Sequence, residues 1–477
     1  MSLKYKTRLS SKLFCLTLIF VTLLSGCEKL VTVPDPVTQL VSNSVYSNDA
    51  TAAAVLTGIY GKMSGDYDMA SGYTGVSLLM GLASDELTGY TTDLTQSAFY
   101  TNRFAGGADF WNAPYQYIFV ANAALDGVNN STTISASLKQ QLLGEAKFMR
   151  AFMYFYLVNL YGDVPLVLGT DYKVNAVVTR TAKETVYAQI VQDLIDAQQR
   201  LSDDYRAPDN KTTTERIRPN KGAATALLAR VYLYMGKFPE AESEASLLIN
   251  NAGKYNLVQD LNNVFLKNSN EAIWQLYPST PGYNTQDGVH FVLTDAPDNY
   301  TNTVSISPSL ISSFEAGDSR RSNWVGSITV DKKTTYYYPF KYKLYNYGDP
   351  VNEYVMVFRL AEQYLIRAEA RAQQNNIAGA QADLNMIRNR AKLPNTSANT
   401  KSDLLSAVLQ ERRIELFTEM GNRWFDLKRS NLLDQVMSVI TPLKGGVWTS
   451  DRKLLPIPLT ELQRNFNLTQ NPGYVGR

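Results

Sequence analysis

A mostly α-helical fold with no large sheet is predicted by three observations. Apolar residues recur at three- and four-residue intervals through most of the chain. Two stretches read as helical hairpins with short polar turns. One long stretch, residues 277–347, loses helical periodicity altogether. Length alone suggests two or three domains, but a single large fold is also compatible with it.

The chain opens with a basic head, Lys4, Lys6, Arg8 and Lys12. Residues 13–24 are apolar over a length that suits a signal peptide and is too short for a comfortable transmembrane helix. Leu24-Ser25-Gly26-Cys27 then resembles a bacterial lipobox. Residues 1–26 are expected to be removed, and Cys27 to carry lipid as the first mature residue. Several acyl chains, at about 0.8 kcal/mol per buried methylene, hold a domain firmly on a bilayer. Residues 27–44, with Pro34 and Pro36, read as an extended tether, and 45–477 as one domain.

Loss of the leader turns a net charge of +2 into −2, because its four charged residues are all basic. No dense basic run remains, so nucleic acid is not expected as a partner. Cys15 lies in the leader and Cys27 would be lipidated, which leaves no thiolate metal site or disulfide. His290 is the one histidine. That composition argues against zinc chemistry and Ser-His-Asp catalysis. His290, between Val289 and Phe291, reads as a packing residue.

In the first helix Asn48-Asp49 can cap, and Ala53, Leu56, Ile59, Tyr60 and Met63 share a face. Residues 65–107 are rich in Gly, Ser, Thr and Tyr and read as loops. Helices follow at Asp109–Val128 and Ser137–Tyr161. The second is apolar nearly all round from Phe148, which signals burial, and Gly162 and Pro165 stop it. Thr181–Leu201 is a helix with capping-box spacing at Thr181 and Glu184. Ala223–Met235 and Pro239–Asn250 form the first hairpin, about Gly236. Ala361–Gln374 and Ile377–Ala391 form the second. Such hairpins normally repeat every 34 or so residues. Here their turns stand about 140 residues apart, so one interrupted scaffold is expected rather than a tandem array. Lys401–Glu419 supplies a further helix.

Residues 277–347 hold nine tyrosines and Trp324. This is too long for a plain connection and reads as a functional insertion. No phosphate loop, dinucleotide fingerprint or nucleophile elbow is present. Carboxylate pairs such as Asp85-Glu86 do not distinguish themselves in a chain with 44 acids. Glu411-Arg412-Arg413-Ile414-Glu415 with Arg423–Arg429 reads as a buried ion-pair network. Loop tyrosines are the stronger lead. Each offers a flat apolar face and a polar tip at small entropic cost, which suits sugar rings. Tyr90, Tyr100, Tyr283, Tyr300 and Trp324 are the candidate stacking platforms. Asn102, Arg103 and Asp287 are their candidate polar neighbours.

Four motifs resemble the SusD/RagB family of outer-membrane nutrient-binding lipoproteins. They are Arg150–Leu166 (RAFMYFYLVNLYGDVPL), Arg359–Ala370 (RLAEQYLIRAEA), Glu411–Arg429, and Leu455–Pro458 with Asn471–Tyr474. They stand in the family's order and span the mature chain. Asn422 and Met420 depart from residues common in relatives. Only Glu28 follows Cys27 as an acid, a thin version of the relatives' acidic export signal. The resemblance implies a mostly α SusD-like fold, with four tetratricopeptide-like hairpins and an irregular, loop-rich ligand-binding half. It implies a lipid-anchored, surface-exposed outer-membrane protein that binds an oligosaccharide, needs no cofactor, performs no catalysis and caps a SusC-type TonB-dependent transporter. The alternative is a lipoprotein that uses its hairpins to bind a peptide or protein, with no sugar ligand.

Overall fold

The architecture is known from a computed structural model, which describes residues 45–104 and 110–476. The leader, the lipobox with Cys27 and the tether lie outside the described residues. About 50% of the described residues are helical and 8% strand, so helix packing decides the fold. No described helix is long and apolar enough to cross a membrane. Tyr46–Arg477 form one compact unit.

Helix α1 (Asp49–Met63) starts where Asn48 Oδ1 accepts from the Thr51 amide at 3.0 Å, as its sequence predicts. It buries Ala52, Ala53, Leu56, Ile59, Tyr60 and Met63. After a loop come α2 (Val76–Ala83), strand β1 (Leu87–Gly89) and α3 (Leu94–Tyr100). Helices α4 (Asn112–Asn130) and α5 (Ala136–Tyr161) follow. From Phe148 to Tyr161 every residue of α5 but Asn159 is buried, and Gly162 at φ +74° ends it. Helix α6 (Lys183–Arg200) departs from expectation at its start. Thr181 is drawn into a backbone bridge with Val164, so no capping box forms. Asp163 Oδ1 caps instead, accepting from the Lys183 amide at 2.9 Å.

The first hairpin is α7 (Lys221–Tyr234) and α8 (Phe238–Ile249). Strand β2 (Ala272–Leu276), helix α9 (Gln286–Phe291), and strands β3 (Val304–Ile306), β4 (Val325–Val330), β5 (Thr334–Pro339) and β6 (Val355–Arg359) follow. The second hairpin is α10 (Leu360–Gln373) and α11 (Ile377–Arg390); α12 (Lys401–Glu415), α13 (Asn422–Arg429), α14 (Leu433–Leu443) and the short α15 (Leu459–Arg464) follow. The two hairpins are neighbours in space. Ala229, Leu233, Ala241 and Ala245 of the first share one buried cluster with Ile366 and Ala370 of the second. Small side chains let the helix axes approach, which is why alanines dominate that seam.

The non-helical insertion is closed at its root. Antiparallel β2–β6 pairing sets Ala272 opposite Arg359 and Leu276 opposite Val355, so the intervening residues leave and re-enter the scaffold at one place. Inside it β4 and β5 form a hairpin. Tyr336, Tyr337 and Tyr338 lie on β5, while Tyr342, beyond its end, is buried. Trp324 is fully buried in the insertion's core with Phe265, Ile306 and Tyr342.

The expected ion-pair network is present. Glu415 pairs with Arg320, Arg359 and Arg390, and Glu271 with Arg359 and Arg390. Arg412 pairs with Asp426, and Arg423 and Arg413 with Asp85. Matching of this kind offsets the desolvation that a low-dielectric interior imposes on buried charges.

Candidate functional site

The two loop-rich stretches are one surface. Strand β1 pairs antiparallel with β3, Leu87 opposite Ile306 and Gly89 opposite Val304. This ladder joins residues 65–104 to the insertion. Beyond it the Tyr90 amide donates to the Thr303 carbonyl at 2.9 Å. Thr91 Oγ1 donates to the Asn299 carbonyl at 3.2 Å, and Thr92 Oγ1 to Asn299 Oδ1 at 3.0 Å.

An aromatic array is built on this junction. The loop after α1 folds back so that the Tyr73 amide donates to Asp66 Oδ1 at 3.0 Å. The fold-back needs Gly72, whose φ is +82°; a Cβ there would stand 2.6 Å from Asp66 Oδ1. Asp287 of α9 anchors the turn from below, accepting from the Gly72 amide at 2.9 Å and Ser71 Oγ at 3.1 Å. From the same helix His290 Nε2 meets Asp66 Oδ1 at 2.5 Å. The imidazole lies edge-on to Tyr73, centroids 5.5 Å apart, and the Tyr67 ring stands 5.9 Å from that of Tyr73. Tyr67 is 71% exposed, while Tyr73 and His290 are half-buried. The Tyr73 hydroxyl meets Thr91, which brings the 91–92 and 298–300 loops to the edge of the array. There Asp298 Oδ1 accepts from the amides of Tyr300 and Thr301, so Tyr300, 86% exposed, projects from a tied turn.

The two carboxylates have opposite electrostatics. Burial raises the Asp66 carboxyl, but His290 and the Tyr73 amide outweigh it and hold it below its ordinary value. Asp287 is fully enclosed, and burial pushes it up to about 6 despite its bonds to Gly72 and Ser71. Asp66 is therefore an ionised acceptor at the surface, and Asp287 a support beneath it.

The structure sorts the sequence-predicted residues. Tyr300 is an exposed ring on the turn that Asn299 ties to Thr91 and Thr92. Tyr90 is half-buried, its hydroxyl 2.9 Å from Ser305 Oγ and its ring edge-on to Tyr336. Tyr283 lies edge-on to the exposed Tyr347, centroids 5.4 Å apart, forming a second aromatic pair. Five predicted residues sit otherwise than as open platforms and neighbours, and three of them, Trp324, Asn102 and Asp287, are buried against expectation. Trp324 is no surface platform: it is wholly buried, its Nε1 donates to the Leu261 carbonyl at 2.9 Å, and Lys341 Nζ lies 5.0 Å from its ring. Asn102 is buried, donating to the Ala83 carbonyl and accepting from Thr441 Oγ1, so both ends of its amide are engaged. Arg103 is exposed but tied to the Gly445 carbonyl, on the segment after α14. Asp287 is buried and positions a loop rather than facing outward. Tyr100 packs against Gly89, with Lys444 Nζ 5.2 Å from its ring, as part of the scaffold.

Tyr67, Tyr73 and Asp66 were missed by sequence reasoning although they lie in the loop it marked. His290 read as packing; its bond to Asp66 bridges 224 residues of sequence, which no local pattern reveals. Among the described residues no group of three or more His, Cys, Asp or Glu could hold a metal ion.

Comparison with known proteins bears on the family and the fold. Residues 282–474 match the model of the SusD family, and residues 77–233 match the model described as starch-binding, associating with the outer membrane. The SusD-like protein P2 of Formosa agariphila is 29% identical, over 96% of this chain and 98% of its own. The starch-binding protein SusD of Bacteroides thetaiotaomicron is 32% identical over 25% of this chain. Among solved structures, a SusD superfamily protein of Bacteroides vulgatus superposes with TM-score 0.76 at 22% identity, covering 89% of this chain and 99% of its own. A laminarin-binding SusD-like protein superposes with TM-score 0.74 at 26% identity, covering 90% and 100%. On motif order, family models and fold together, the chain belongs to the SusD/RagB family, whose members are associated with the outer membrane.

Proposed function

We propose that the protein is a glycan-binding lipoprotein, anchored through Cys27 on the outer surface of the outer membrane. It hands oligosaccharide to a SusC-type TonB-dependent transporter that it caps, and performs no catalysis. The observation that carries the reading is the array of Tyr67, Tyr73 and His290 beside the Asp66 carboxylate, with Tyr300 on the adjoining turn. Exposed rings stack on the C–H faces of sugars, and a carboxylate with lone pairs to spare accepts their hydroxyls. The relatives support it: one solved neighbour is a laminarin-binding protein, and another is a surface glycan-binding protein of Bacteroides uniformis. Tyr90 and the Tyr283–Tyr347 pair are candidate further contacts for a longer chain. Calorimetry of the detergent-solubilised protein against β-glucan and α-glucan oligosaccharides tests the reading. Tyr67→Ala or Tyr300→Ala should weaken the ligand found about tenfold, in line with 1–3 kcal/mol per stacked ring, with the melting temperature nearly unchanged. Unaltered binding in the double variant would remove the site from this surface.

A further inference from the structure

A cleft of about 720 Å³ lies far along the chain from the aromatic array, between the ends of α5 and α13, the start of α6, and the 450–454 and 471–472 segments. Its volume is that of a small-molecule site. Its walls carry more positive than negative charge: Arg180, Lys183, Lys428, Arg429 and Lys453 against Asp163 and Asp451.

These cations are not equivalent. Arg429 is neutralised by Glu369 and Asp426, and Lys453 by Asp434. Arg180 is spent on neutral acceptors, the carbonyls of Asp163, Tyr161 and Thr469 and Asn471 Oδ1. Lys428 stands apart. Its ammonium donates once, to the Asn159 carbonyl at 2.5 Å, and has no carboxylate at ion-pair distance among the described residues. An ammonium has three N–H donors, so two remain for a ligand. Burial, then Lys183 and Lys453, lower its pKa to about 7. Lys428 is partly buried, and a partly desolvated ammonium without a carboxylate gains by acquiring a counter-ion. Tyr234 also lines the cleft, with its Oη buried away from solvent.

We propose that this cleft binds a small oxyanion, a carboxylate or sulfate, with Lys428 as its direct ion-pair partner and Lys183 contributing charge nearby. The anion is carried on an acidic sugar or is free in solution. Both present the same planar or tetrahedral oxygens to the ammonium, through charge-assisted bonds. The site shares none of its lining with the aromatic array, so it can fill independently of the glycan surface.

The test titrates the full-length protein in detergent, at fixed ionic strength, with sodium sulfate, methyl glucuronide and methyl glucoside. Sulfate or methyl glucuronide should bind saturably, and methyl glucoside should not compete with them. Lys428→Gln should raise the Kd about tenfold or more, as loss of a charged hydrogen bond does. Lys183→Gln, which changes an exposed residue, should raise it several-fold, and Tyr67→Ala should leave it unchanged. Tighter binding of methyl glucuronide identifies the anion as sugar-borne, and equal or tighter binding of sulfate as free; either supports the site. No saturable anion binding in the millimolar range, or equal binding by parent and Lys428→Gln, overturns it.

Discussion

Glu86 shows how far one buried group can depart from solution chemistry. It is 1% exposed and adjacent to Asp85. Its Oε2 accepts from the Thr418 amide at 3.3 Å, and Oε1 has no partner. Burial, then the Asp85 charge, push its pKa from 4.5 up to about 8, so the folded protein holds it neutral at pH 7. A folded-state value above the unfolded one favours the native state fully below about 4.5, and that advantage drains away as pH rises towards 8. Glu86→Gln keeps the neutral shape without the titration. Its unfolding free energy relative to the parent should therefore rise by up to about 1.4 kcal/mol per pH unit across that window, then level off. Denaturant titrations at four or five pH values check this; a difference flat with pH would refute it. The same scale explains the mixed legibility of the site. Residue type and loop context revealed Tyr300 as an exposed ring. They also singled out Trp324 and Asn102, because a side chain's direction is fixed by partners distant in sequence. Trp324 faces a core assembled from residues 261 to 417, and Asn102 reaches Thr441.

At the level of elements, helical periodicity made α1, α5 and both hairpins legible, since each buries one long apolar face. Pairings were not legible. Nothing local in Ala272–Leu276 announces Val355–Arg359 as its partner, and three-residue strands such as β1 and β3 are too short to show alternation. The motifs that carried the family resemblance prove to be ionic staples between elements. Arg150 grips Asp193 across α5 and α6, and Arg230 of α7 grips Glu362 of α10 with two bonds of 2.7 Å, both side chains 2% exposed. Glu362→Leu leaves the Arg230 guanidinium buried and unmatched, and should cost about 3–5 kcal/mol. Adding Arg230→Met should restore most of that loss, because an apolar pair fills the space without an uncompensated charge. Equal melting temperatures for the single and double variants would show that the salt bridge is not what joins the hairpins.

For the molecule as a whole, the beginning of the described chain is fastened to its end. Asp85, just after α2, receives Arg413 and Arg423, and the Leu455 amide donates to the Leu160 carbonyl at the end of α5. One domain held this way needs a single tether. Cys27→Ala should release the protein from membranes or leave its leader uncleaved; a variant that still fractionates with the outer membrane and incorporates palmitate would exclude Cys27 as the anchor. The β1–β3 ladder has a temporal consequence. It joins residues 87–89 to 304–306, and the root of the insertion closes only at Arg359. A chain emerging amino-terminus first thus exposes Tyr67 and Tyr73 long before the residues that orient them arrive. Until roughly three-quarters of the chain has emerged, the array does not exist. A chain that ends before Arg359 therefore lacks the array on which the proposed sugar site rests.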